Sequence, residues 1–83
     1  MPTRRDQVDP EQQERWAASR LRVGANVRRL RLERGLTQEA LALESGLSRN
    51  QLTELEHGRR GVLFERLDDL ARVLQVDTSA LVA

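Results

Sequence analysis

The 83-residue sequence contains no cysteine, no lysine and no tyrosine, and its aromatic residues are one tryptophan and one phenylalanine. Without cysteine there are no disulfides, no thiolate nucleophiles and no thiolate metal ligands. One histidine, with no tyrosine or lysine beside it, leaves few groups for acid–base or covalent chemistry. Asp68 and Asp69 are neighbours on a helical stretch, point in different directions and make a poor metal pair. An enzyme is therefore not expected. No apolar run approaches the ~20 residues of a membrane span. The opening residues, MPTRRDQVDPEQQE, lack the apolar stretch of a secretion signal. A soluble, cytoplasmic protein is the expectation, of a length that suits one domain with a short tail.

What is present in quantity is arginine. All 14 basic residues are arginine, and the formal net charge of +1 hides their clustering. Arg20, Arg22, Arg28, Arg29, Arg31 and Arg34 face Glu33 alone in residues 20–36. Residues 37–57 reverse the balance, with Arg49 against Glu39, Glu44, Glu54 and Glu56. Arg59 and Arg60 then stand between Gly58 and Gly61. Clustered arginine on a near-neutral chain suits an anionic partner met on one face. Solvated helix faces account for the same charge pattern equally well, so charge alone does not choose.

Apolar spacing is helical nearly throughout, and no β-branched or aromatic run alternates with period two, which argues against a sheet. Asp9-Pro10 opens the first helix, with Asp9 as cap, Pro10 in the first helical position and Gln12 where a capping box takes Glu or Gln. Trp16, Arg20, Val23, Val27 and Leu30 follow at steps of three and four. Either one helix runs from about 10 to 34, or it breaks near Ser19, since Gly24 inside it costs ~1 kcal/mol relative to alanine. Thr37 caps a second helix with Leu41 and Ala42 inward, ended by Gly46. Ser48 caps a third, anchored by Leu52 and Leu55 and closed by Gly58. A fourth covers about 63–75 with Phe64, Leu67, Leu70, Ala71 and Leu74 inward, and Asp77-Thr78-Ser79 starts a last turn ending in Leu81-Val82.

Two helices joined by a very short glycine-containing turn make a helix-turn-helix arrangement. Ala42 is small where the helices cross, and Gly46 supplies the left-handed backbone of the reversal. With Leu52 and Leu55 inward, positions 49, 50, 53, 54 and 57 point outward, and their long polar side chains are of the types that read base edges.

From Val23 to Val82 the chain resembles the lambdoid-repressor, Cro and Xre family of helix-turn-helix DNA-binding domains. The likeness rests on R-x-x-x-G-L-T-Q-x-x-L-A, then S-G-L-S-R-x-x-L-x-x-L-E-x-G, then F-x-x-L-x-x-L-A-x-x-L-x-V. The sequence is particularly similar to controllers of restriction–modification systems. The resemblance implies an all-α fold: a compact, lambda-repressor-like five-helix bundle with a helix-turn-helix, here carrying an N-terminal helical extension. Residues 1–19 are read as a tail or extra helix and 20–83 as the DNA-binding domain. The implied function is a transcriptional regulator binding a near-palindromic operator as a homodimer, without cofactor or metal. The alternative is an antitoxin-type module that masks a toxin through residues 1–19 and also autoregulates through DNA.

Position by position, the resemblance implies base reading by Ser48, Arg49, Asn50, Thr53 and Glu54, with Gln51 at the flank. Phosphate contacts fall to Gln38, which also braces the third helix, and to His57, Arg59 and Arg60. Arg31 and Glu56 match a partly buried ion pair, so Arg31 is read as structural rather than DNA-binding. Leu63 stands where a polar cap is usual and Val62 where proline is frequent, so Leu63 and Leu32 are expected to be exposed. Leu63, Leu81 and Val82 are candidates for the dimer interface, with plain core packing as the alternative. Trp16 is read as an added core residue over a partner contact. Arg4 and Arg5 are read as part of an untethered tail over an arm in the minor groove.

Overall fold

A computed structural model describes residues 9–83, so the reading of Arg4 and Arg5 lies outside the described residues. Five helices follow in order: α1 (Pro10–Glu33), α2 (Gln38–Ser45), α3 (Arg49–Glu56), α4 (Phe64–Leu74) and α5 (Thr78–Val82). No strand occurs among the described residues. The all-α, five-helix architecture expected from the sequence is the one observed.

The helices begin where short polar side chains can take up the unpaired amides of a first turn. Asp9 Oδ1 accepts the Glu11 amide at 2.9 Å, with Pro10 directly after it. Thr37 Oγ1 accepts the Ala40 amide at 3.0 Å. Asp77 at the start of α5 makes no side-chain cap bond, and neither does the start of α4, where apolar Leu63 occupies the cap. The far end of α4 is unusual too, because Gln75 takes a left-handed φ of 57° and is the one non-glycine with positive φ among the described residues.

The core consists of Val27 and Leu30 from α1, Leu41 and Ala42 from α2, Leu52 and Leu55 from α3, Leu70, Ala71 and Leu74 from α4, and Leu81 from α5. α1 runs unbroken through Ser19, as one of the two readings had it. Gly24 explains why a glycine is tolerated there. A Cβ on it would press into the Leu55 carbonyl oxygen and lie 2.8 Å from that of Glu56, so α1 meets the end of α3 backbone to backbone. The residue that weakens the helix in isolation lets it pack.

At ~1.5 Å per residue α1 is about 36 Å long, against a molecule 49 × 23 × 19 Å. Every α1 side chain in or against the core lies at Val23 or beyond. The opening turns of α1 therefore run past the bundle, and Trp16 with them. Trp16 is 47% exposed in a shallow depression formed entirely by Pro10, Gln13, Glu14, Ala17 and Arg20 of its own helix. The expected extra core residue is a surface residue, because the periodic stripe outlasts the partner helices it could pack on. One further reading is corrected, and of the two readings of Leu81 core packing is the one observed. Phe64 is 71% exposed: it shares the phase of Leu67 and Leu70 but sits at the first position of α4, at the edge of the bundle. Leu81 is completely buried, and Asn26 Nδ2 fixes the end of α5 to α1 by donating to the Leu81 and Ala83 carbonyls at 3.1 and 3.0 Å.

Candidate nucleic-acid interface

The turn between α2 and α3 sets everything the interface presents. Gly46 adopts φ 76°, and the Leu47 amide returns to the Ala42 carbonyl at 2.9 Å, reversing the chain within three residues. A side chain at Gly46 would meet the Arg66 guanidinium, with Nη1 2.7 Å from an added Cβ. Ser48 then opens α3 with a complete capping box: its Oγ accepts the Gln51 amide at 3.0 Å, and Gln51 Oε1 accepts the Ser48 amide at 2.8 Å. Both side chains thus serve the helix start before they meet any ligand.

Leu52 and Leu55 fix the inner side of α3, and Glu56 fixes its end. Glu56 and Arg31 are both buried, with Arg31 Nε 2.8 Å from Oε2 and Nη2 3.2 Å from Oε1. Arg31 Nη1 also donates to the Leu36 carbonyl at 2.9 Å, and Gln38 Nε2 donates to Glu56 Oε1 at 3.0 Å. The Thr53 hydroxyl lies 2.9 Å from the Arg49 carbonyl oxygen and 3.4 Å from Gln38 Oε1. One polar network therefore joins α1, the start of α2 and the length of α3. Among the described residues no buried side-chain nitrogen or oxygen lacks a partner. Gln38 stands in the bracing position expected of it, with its amide committed to Glu56.

Outward from this anchored side, Arg49, Asn50, Gln51 and His57 are exposed, and Thr53 and Glu54 are half-buried. Two arginines are held by carboxylates. Arg49 Nη1 lies 3.2 Å from Glu39 Oε1 on α2, and Arg59 Nη1 lies 3.4 Å from Glu54 Oε1. The Arg59 amide also closes on the Glu54 carbonyl at 2.9 Å. His57 Nδ1 is 2.8 Å from the Thr53 carbonyl oxygen; a carbonyl can only accept, so Nδ1 carries the proton and Nε2 is left for another partner. Arg60 borders a cleft with Gly46, Leu47, Gln51, Leu55, Val62, Leu63 and Arg66.

Sequence reasoning did not find Glu39 as the partner of Arg49. The two are ten residues apart and meet only because the turn folds the start of α2 beside the start of α3. It also missed Ser45, a buried hydroxyl that donates to the Leu41 carbonyl at 2.6 Å. Of the dimer candidates, Leu63 and Val82 are exposed and are joined by Phe64, whereas Leu81 belongs to the core. Leu32 is exposed as expected. No described helix is long and apolar enough to cross a membrane, and among the described residues no cluster of His, Asp and Glu is placed to hold a metal.

A capped helix, packed across a tight left-handed turn and presenting long polar side chains, defines a helix-turn-helix DNA-binding protein of the transcriptional-regulator class. The helix-turn-helix family model HTH_3 matches residues 27–81, and the chain belongs to that family. It is 47% identical over 60 residues to an uncharacterized HTH-type transcriptional regulator, y4dJ, of Sinorhizobium fredii, covering 72% of this chain and 78% of the relative. It is 33% identical over 63 residues to control protein C.BamHI of Bacillus amyloliquefaciens, covering 75% and 78%. Among solved structures it resembles the restriction–modification controller protein C.AhdI from Aeromonas hydrophila, with a TM-score of 0.74 at 36% identity, covering 77% of this chain and 97% of that one.

Proposed function

We propose that the protein is a sequence-specific regulator that binds a near-palindromic operator as a homodimer, each subunit laying α3 in a major groove. The reading is carried by one observation: Arg49 and Asn50 stand exposed on the first turn of a helix whose opposite side is locked by Leu52, Leu55 and the buried Glu56. Arginine suits guanine O6 and N7, asparagine suits adenine N6 and N7, and each good pair is worth roughly 1–3 kcal/mol of discrimination. Ser48, Thr53 and Glu54 complete the base-facing set. Gln38, His57, Arg59 and Arg60 surround it and supply phosphate contacts, which set register rather than sequence. Leu63, Phe64 and Val82, exposed at the start of α4 and the end of α5, are the apolar residues assigned to the dimer contact. A two-fold dimer places its half-sites about 34 Å, or a multiple, apart. The likeness to C.AhdI supports a controller type of role, in the cytoplasm where the DNA lies.

Selection of bound sequences from a pool of random duplex DNA, followed by footprinting, tests the proposal. The expected result is an enriched motif with two-fold symmetry, protected over both halves. Enrichment of an unsymmetrical single site removes the homodimer, and no enrichment at all removes sequence-specific binding.

A further inference from the structure

Resting on the reading of α3 as the DNA-facing helix, we infer that Glu39 is a specificity determinant: it occupies Arg49 in the free protein and withholds that arginine from phosphate.

Glu39 and Arg49 border one shallow cleft together with Arg31, Thr37 and Gln38. Their side chains are 75% and 66% exposed, so solvent and salt screen the contact, and the packing of the bundle does not depend on it. Glu39 follows directly on Gln38, at the mouth of the α2 N-terminus, where an incoming phosphate would arrive. On random duplex binding is carried by phosphate contacts, so phosphate is what Arg49 chiefly meets there. Trading one exposed carboxylate for one exposed phosphate gains almost nothing, and the released Glu39 then faces the phosphate's negative charge. A guanine edge changes the balance. Only Nη1 is engaged by Glu39, so the remaining N–H donors of the guanidinium are available to O6 and N7 while the carboxylate holds the fork in place. The same carboxylate thus rejects the wrong ligand and orients the arginine for the right one, the two halves from which selectivity is built. Arg59 is held by Glu54 in a similar way, but Glu54 lies on the reading helix itself, whereas Glu39 lies off it.

The test compares wild type, Glu39→Gln, Arg49→Gln and the double variant on two probes: the random duplex pool and the duplex selected from it. Glu39→Gln is expected to tighten binding to the random pool roughly two- to fivefold, the worth of an exposed ion pair. Its salt dependence on that pool should steepen by ~0.9 in log K per decade of salt, one additional phosphate contact. Affinity for the selected duplex should rise by less, so the ratio between the probes falls. In the Arg49→Gln background the selective effect should vanish. Equal tightening on both probes, or a selective effect that survives without Arg49, overturns the inference while leaving DNA binding intact. A wild-type protein that binds neither probe overturns the DNA-binding reading, and this inference with it.

Discussion

Glu56 Oε1 accepts from two directions at once, from Arg31 Nη2 at 3.2 Å and from Gln38 Nε2 at 3.0 Å. A single buried oxygen therefore connects the first helix, the second helix and the end of α3. Removing one member of a buried pair leaves the other charge uncompensated. Arg31→Ala or Glu56→Ala should accordingly cost about 3–5 kcal/mol, close to the whole stability of a chain this small. Gln38→Ala removes a hydrogen bond to a charged group and should cost about 1.5–3 kcal/mol. Urea titration followed by circular dichroism measures all three. Equal, small losses would mean that the apolar core alone holds α3 in place.

Gly24→Ala should destabilise the protein by roughly 1–3 kcal/mol, as overpacking does. Helix propensity taken alone predicts the opposite, a gain of about 1 kcal/mol. The sign of the change in thermal midpoint decides between the two, because the added Cβ has only the Leu55 and Glu56 backbone to displace.

Gln75 holds a left-handed conformation that costs a non-glycine residue about 1–2 kcal/mol. Glycine there relieves that strain but loses more chain entropy on folding, by roughly 0.5–1 kcal/mol. The net expectation for Gln75→Gly is a gain of up to about 1.5 kcal/mol, read as a higher denaturant midpoint at unchanged slope.

Arg49→Ala should flatten base preference, whereas Arg59→Ala should weaken binding to all sequences together and reduce the salt slope by ~0.9. Parallel titrations on selected and random duplex separate the two outcomes. Equal loss on both probes in the Arg49 variant would remove Arg49 from the base-reading set.

Caps, the helical phase and the reversal at Gly46 were legible in the sequence because each is a local matter: a short polar side chain before an apolar stripe, or a glycine where the chain must turn back. The outward side of α3 followed from the inward position of Leu52 and Leu55. The roles on that side, and the pairing of Arg31 with Glu56, came only through the family likeness. What misled was reach. Periodicity says which way a side chain points, but not whether another helix stands opposite. Trp16 and Phe64 share the phase of core residues and lie beyond the edges of the bundle, while Leu81, on a helix of five residues, lies wholly within it. The Glu39–Arg49 contact has no signature of spacing at all, since it joins two helices across the turn.

The protruding start of α1 also governs how this molecule can be observed. Trp16 is the chain's single indole, there is no tyrosine, and the ring sits on turns that share no surface with the core. Intrinsic emission therefore reports first on the solvation and fraying of one helix end. A backbone signal follows the cooperative loss of structure in all five helices, and a gap between the two curves would reflect where the fluorophore sits, not a folding intermediate.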